Sequence, residues 1–144
     1  MTIRLACPAD AEALIRLNTA FNGVEDISAT DVCNSLLTSS EVVVVAEEAS
    51  KVVAFCCAQV HHSFCYSAPV AEVTEMYVDE AHRRKGCATK MLAFLEEHLR
   101  VRHGVDELHL LTGTDNHAAQ AAYQKAGFAR KNEAYMMKEV PRNR

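Results

Sequence analysis

No stretch of this 144-residue chain is apolar for long enough to span a bilayer. Its opening, MTIRLACPADAEAL, lacks the charged segment and apolar core that mark a secretory signal. A cytoplasmic protein with no membrane partner is expected. An excess of positive charge is also missing: 15 Lys and Arg stand against 19 Asp and Glu, for a net charge of −4. That argues against a nucleic-acid partner, whose phosphates leave a basic footprint. The six cysteines contain no C-x-x-C pair, so no disulfide framework is expected. Cys56 and Cys57 lie in an apolar run, where at least one should be a small buried hydrophobe. There are no internal repeats and no Pro/Gly/Ser-rich linker. With 49% apolar and 24% charged residues, the composition suits one globular domain over residues 1–144. Neither G-x-x-x-x-G-K-[ST] nor G-x-G-x-x-G occurs, which excludes the two commonest phosphate loops.

What is present has a clear periodicity. TIRLA reads as a short strand. PADAEALIRLNTAFN places apolar residues at helical spacing, with Pro8, Asp10 and Glu12 suited to a first turn. SATDVCNSLLTS reads as a second short helix capped by Ser28. EVVVVAEE and VVAFCCAQVHH form a strand pair around the polar EEASK turn. VAEVTEMYVDE is a third long strand, and TKMLAFLEEHL carries a helix on to about Val101. DELHLLT is a strand, NHAAQAAYQKAG a helix ended by Gly127, and FARKN and AYMMKEV two closing strands. The expected order is β-α-α-β-β-β-α-β-α-β-β. The strand–helix–strand segment implies one parallel pair in an otherwise antiparallel sheet. The fold class is therefore α/β, or α+β, with a mixed sheet and helices on both faces.

The local concentration of charge lies at RRKGCA, between a strand and a helix. Gly86 allows close backbone approach. The helix start offers unpartnered N–H groups and a favourable dipole for an anion. Arg83, Arg84 and Lys85 add charge beside them. Together these features form a cradle for a diphosphate, although solvated basic residues at a helix start would look the same.

RRKGCA resembles the [QR]-x-x-G-x-[GA] pyrophosphate loop of the GNAT superfamily of N-acetyltransferases, through Arg83, Gly86 and Ala88. EMYVDEAHR looks like the strand that precedes that loop. TDNHAAQAAYQKAGF is similar to the second signature, N-x-x-A-x-x-x-Y-x-K-x-G-F, through Asn116, Ala119, Tyr123, Lys125, Gly127 and Phe128. The element order fits that fold over essentially the whole chain. Cys87 and Ala88 depart from the more typical pair in the loop, and the Ala88 side chain would narrow the cradle slightly.

The resemblance implies acetyl-CoA as co-substrate and no metal. Its diphosphate would lie on the N–H groups from Arg84 to Thr89, including those of Lys85, Gly86, Cys87 and Ala88. Its pantetheine arm would pair with Met76, Tyr77 and Val78, the Val78 N–H polarising the thioester carbonyl. The two strands VTEMYV and DELHLLT would splay apart, and Asn116 would reach the cofactor from the next helix start. Tyr123 would protonate the departing thiolate. The base would be Glu75, Glu72 or a water chain. In a regular strand these two carboxylates face opposite sides; a bulge of the kind family members have here would bring both to the cleft.

Other residues carry weaker signals. His61, His62 and Cys65 lack a fourth zinc ligand and alternate across a strand, so no metal is expected. HHSFCYSAP is expected to border the acceptor site, with Phe64 and Tyr66 as walls. His109 either faces the splayed cleft or is exposed. The thiol of Cys87, beside three cations, is expected to ionise more readily than usual. Glu25 and Asp26 would suit a cationic amine. The leading expectation is an acetyltransferase acting on a primary amine of a small molecule. The alternatives are acetylation of a protein lysine or N-terminus, and a non-catalytic acyl-CoA sensor. AYMMKEV is apolar enough to pair across a homodimer.

Overall fold

Near-continuous apolar runs in the middle of the chain become strands buried on both faces. The computed structural model describes residues 1–143. β1 (Thr2–Leu5), β2 (Val42–Glu48), β3 (Lys51–His61), β4 (Val70–Val78) and β5 (Glu107–Leu110) form one sheet in chain order. The first four are antiparallel to their neighbours, and β5 runs parallel to β4, as the crossover requires. α1 (Ala11–Asn22) and α2 (Ala29–Thr38) pack on one face. α3 (Cys87–His103) and α4 (His117–Lys125) pack on the other.

The strand period of two sorts the core. Val44, Ala54, Cys56 and Ala58 meet Met91, Leu95 and Leu99 of α3. Val43, Val45, Phe55 and Cys57 meet Leu14 and Leu17 of α1. Cys56 and Cys57 are thus both buried, on opposite faces. Burial raises the Cys56 thiol to about 12 and the Cys57 thiol further, so both stay protonated.

Local chemistry sets the helix ends. The Ser28 hydroxyl accepts the Asp31 N–H at 3.1 Å and the Asp31 carboxylate accepts the Ser28 N–H at 2.9 Å, a reciprocal cap for α2. α3 stops at Gly104, whose φ is +68°, with Arg100, Arg102 and His103 in its last turn. Arg4 donates to Asp10 at 2.8 and 2.9 Å and to Glu47 at 2.7 Å, while Asp10 also accepts the Cys7 N–H at 2.8 Å. The Arg4 guanidinium holds the Asp10 carboxyl below the usual range. This knot ties the start of α1 to β1 and β2.

The observed order follows the expected one as far as α4 and then departs from it. FARKN and AYMMKEV form no strand among the described residues. Phe128 packs on the α3-side core, but every residue from Ala129 to Asn143 is exposed. A strand exists only where a neighbour completes its ladder, and this segment pairs with none among the described residues. β5 is likewise shorter than DELHLLT suggested, ending at Leu110.

Candidate active site

The site begins where a ladder stops. β4 pairs with β5 only from Val70↔Glu107 to Val73↔Leu110. Beyond the unpaired Thr74, its remaining residues, Glu75 to Val78, pair on the β3 side alone. The Asp79 N–H donates to Val53 O at 2.8 Å, towards β3. Successive peptide groups in a strand turn to opposite edges, so those of Val78 and Met76 point into the gap. Arg83 Nε reaches Val78 O from that side at 2.9 Å. The Arg83 guanidinium also sits 5.4 Å from the centre of the Tyr77 ring, a cation–π contact. Tyr77 in turn stacks on Phe21 of α1 at 5.2 Å.

Thr74 decides which way the two candidate carboxylates face. Cys57 pairs with Glu75 and Ala58 with Val73, leaving Thr74 as an extra residue. The bulge reverses the alternation, so Glu72 and Glu75 come to the same face. They do not share a setting there. Glu75 lines a cavity of about 460 Å³ under α1 and α2. Glu72 lies 3.5 Å from His61 Nε2 and pairs in register with His109. His109 is exposed, with Nε2 3.0 Å from Glu107.

The cavity is apolar along Leu14, Val32, Leu36 and Phe55 and acidic at Glu25, Asp31, Glu41 and Glu75. Burial, with the negative charge of Glu75 added, raises the Glu41 carboxyl above its ordinary range. Glu41, Asn18 and Asn22 are site residues that the sequence reading missed. Only Glu25 among the expected acidic loop residues lines the cavity; Asp26 does not. Phe64 and Tyr66 do not wall it either. They are 102% and 76% exposed, because residues 62–69 form an excursion between strands rather than a flap over the sheet face.

Beyond β4, the chain turns through Arg84, φ +62°, and Gly86, φ +77°, into α3. The N–H groups from Arg84 to Thr89 find no acceptor among the described residues, and the first helical bond is Lys90 N–H to Gly86 O at 3.1 Å. A Cβ at Gly86 would meet nothing within 4 Å, so this cradle is open space. Unpartnered donors at a helix start beside Arg84 and Lys85 suit a diphosphate. Cys87 contributes backbone only: its side chain is buried, and burial raises its thiol, which corrects the expectation of easy ionisation.

Tyr123 comes from the other face. It packs on the α3-side core and lies edge-to-face with Phe128 at 6.0 Å. Its hydroxyl makes no hydrogen bond among the described residues. Burial raises it above the ordinary phenol value. Asn116 caps α4, its Oδ1 accepting the Ala119 N–H at 3.2 Å, which leaves its Nδ2 for other partners. Lys125 is exposed in the last turn of α4. Among the described residues, no three metal-ligating side chains converge.

A split parallel pair, a helix start with unpartnered N–H groups after its first strand and a tyrosine packed on the α3-side core are features that an acyl-CoA site would use. The sequence matches the acetyltransferase (GNAT) family over residues 12–128. This chain belongs to the GNAT family. It is an acyltransferase, and the family uses acetyl-CoA. The fold matches an aminoglycoside acetyltransferase, meta-AAC0020, from an uncultured soil metagenomic sample, at TM-score 0.83 and 18% identity over 97% of this chain and 96% of that one. It also matches AAC(6')-Iy in complex with the bisubstrate analog CoA-S-monomethyl-acetylneamine, at 0.84 and 19% over 97% and 98%. A ribosomal-protein-alanine N-acetyltransferase from Brucella melitensis biovar Abortus 2308 matches at 0.80 and 16% over 96% and 100%. No curated protein matches the sequence. No helix among the described residues is long and apolar enough to cross a membrane.

Proposed function

We propose that this GNAT domain transfers the acetyl group of acetyl-CoA to a primary amine of a small cationic molecule, by direct attack in a ternary complex. One observation carries the reading. The ladder between β4 and β5 ends at Val73↔Leu110, so the open peptide groups of Met76 and Val78 lie between an acidic cavity on one face and Tyr123 on the other.

The roles follow from that arrangement. The N–H groups from Arg84 to Thr89, with Lys85 nearby, hold the diphosphate. The free edge of Met76 to Val78 takes the amides of the pantetheine arm. The Val78 N–H donates to the thioester oxygen as charge develops on it. An amine in the cavity arrives as ammonium, attracted by Glu25, Asp31, Glu41 and Glu75. Glu75 accepts its proton, directly or through a water. The nitrogen lone pair attacks the acetyl carbon, the C–S bond breaks as Tyr123 gives its proton to the sulfur, and the phenolate so formed takes the remaining extra proton from the nitrogen of the new amide. Burial keeps that phenol protonated at neutral pH. Glu75 is the better base than Glu72, which stands outside the cavity beside His61.

The cavity is large enough for an aminoglycoside ring system or a polyamine. One feature favours a protein N-terminus instead: the loop around Phe64 contributes no residue to the cavity wall. The test follows release of free thiol from acetyl-CoA across aminoglycosides, polyamines, amino acids and peptides, with Tyr123→Phe alongside. Amine-dependent release that collapses in the variant supports the reading. Release with peptides alone moves the substrate class to proteins. Acetyl-CoA binding with no turnover on any acceptor points to a sensor.

A further inference from the structure

Two carboxylates stand at the entrance to the turn before α3, and one imidazole lies between them. His82 Nε2 is 3.4 Å from Glu48 Oε2, at the end of β2. His82 Nδ1 is 3.6 Å from Asp79 Oδ2, just after β4. That nitrogen is shut off from solvent and makes no hydrogen bond among the described residues. A ring with an N–H on both nitrogens serves both carboxylates and carries a charge that offsets them. Lys51 is the cross-strand neighbour of Glu48, yet among the described residues the ion-pair partner of Glu48 is His82 and not Lys51. The cluster borders the start of α3: burial, and then the negative charge of Glu48, raise the Cys87 thiol in its first turn. From Glu80 to Gly86, among the described residues, His82 is the one side chain with a polar contact to an element distant in the chain; Arg83 reaches back only to Val78.

We propose that His82 is a positioning residue for acetyl-CoA: it ties the turn to the end of β2 and offsets two carboxylates that would otherwise repel the incoming diphosphate. This rests on the reading of Arg84 to Thr89 as the diphosphate cradle. The turn does not hold itself. Arg84 and Gly86 have φ of +62° and +77°, a region that strains the non-glycine residue. The N–H groups from Arg84 to Thr89 have no acceptor among the described residues, so backbone bonds do not fix the shape. Side chains must do so from both ends. Cys87 is buried in the core on the α3 side, and His82 anchors the approach. The same ring settles a conflict of charge. Arg84, Lys85 and the start of α3 attract an anion, while Glu48 and Asp79 oppose it. All three members of the cluster are partly buried, so solvent and salt screen them incompletely.

Calorimetric titration of the full chain with acetyl-CoA tests this without any acceptor amine. His82→Gln should weaken binding about 10-fold through the loss of a charged partner, with an unchanged circular-dichroism spectrum. Adding Glu48→Gln to that variant restores the net charge of the cluster and should recover most of the affinity. A side chain needed only for packing would gain nothing from the second change. His82→Arg keeps the charge and offers donors to both carboxylates; it should bind close to the wild type, and it carries the test where His82→Gln does not fold. A loss in His82→Gln that Glu48→Gln does not relieve overturns the proposal, as does a loss of like size in His82→Arg. If the wild type binds acetyl-CoA and His82→Gln binds it equally well, the cradle stands and the role of His82 falls. If the wild type does not bind acetyl-CoA, the cradle reading falls and this inference with it.

Discussion

On the α3 face of the sheet, Met91, Leu95 and Leu99 are wholly buried against β2, β3 and β4. On the opposite face α2 buries no residue completely, and a cavity of about 460 Å³ separates it from the strands. Both faces use the same valine-rich strands. They differ in what the helices bring: α3 presents large apolar side chains in every turn, whereas α1 and α2 bring Asn18, Asn22 and Asp31 to the cavity, and the loop between them brings Glu25. The dry face is a scaffold that holds the loop and Tyr123. The wet face is free to accept a polar ligand. The gap between β4 and β5 connects them, and in the proposed function acid and base reach one reaction centre from opposite sides.

The strongest test of that division removes one proton carrier from each side. Tyr123→Phe and Glu75→Gln should each lower kcat by about 10²–10⁴-fold without loss of fold, while Glu72→Gln should cost only a few-fold. Equal losses in the two glutamate variants would return the base to an open question. A Tyr123→Phe enzyme within a factor of three of wild type would show that the thiolate leaves unaided.

Packing gives the next contrast. Leu95→Ala should destabilise by about 3–5 kcal/mol through lost contacts and a residual void. Leu36→Ala, at the cavity wall, should cost about 1 kcal/mol because no new void is sealed. Urea unfolding of the two variants measures the difference, and matching values would mean that the faces are equally closed.

Glu41 ties stability to recognition. Its carboxyl is raised by burial and by Glu75. A carboxyl raised on folding binds its proton more tightly in the folded state, so it reduces stability as pH rises from the ordinary carboxylate value through the folded one. Glu41→Gln should therefore be slightly more stable at neutral pH. It should also raise KM for a cationic amine about 10-fold by removing a charged partner. In the wild type KM should rise as pH falls through the Glu41 value, and that limb should vanish in the variant. A pH-independent KM in both would remove Glu41 from the site.

The smallest effect belongs to the loop. Gly86 has φ +77° with open space where a Cβ would go, so Gly86→Ala costs only left-handed strain, about 1–2 kcal/mol. Stability should fall by that amount, and KM for acetyl-CoA should rise more than KM for the amine. Crowding of the cradle is not expected, and a much larger loss would indicate it.

Much of this site can be read along the chain, because its pieces are local. RRKGCA is legible as a candidate cradle because backbone donors, a glycine and a helix start are consecutive in sequence. Asn116 and Tyr123 fall on one helix at fixed spacing. Glu75 and Glu72 were both recognisable as candidates, as was a bulge that would bring them to one face; that Glu75 and not Glu72 lines the cavity was not, because it depends on where α1 and α2 sit over the sheet. Glu41 was missed because nothing in EVVVVAEE marks its first residue as different from an ordinary strand-end carboxylate. Phe64 and Tyr66 were misplaced because an aromatic loop between strands looks the same whether it folds over a site or away from it.

The sequence by itself determined the helices, the five strands of the sheet, the glycine-led helix start at RRKGCA and the family, since each rests on neighbours within a few residues. Tertiary structure alone decided where the β4–β5 ladder stops, which carboxylates share a cavity and whether AYMMKEV has a strand to join. These are properties of pairs distant in the chain. A ladder, a cavity and a sheet edge exist only when both sides are in place, and periodicity describes one side at a time.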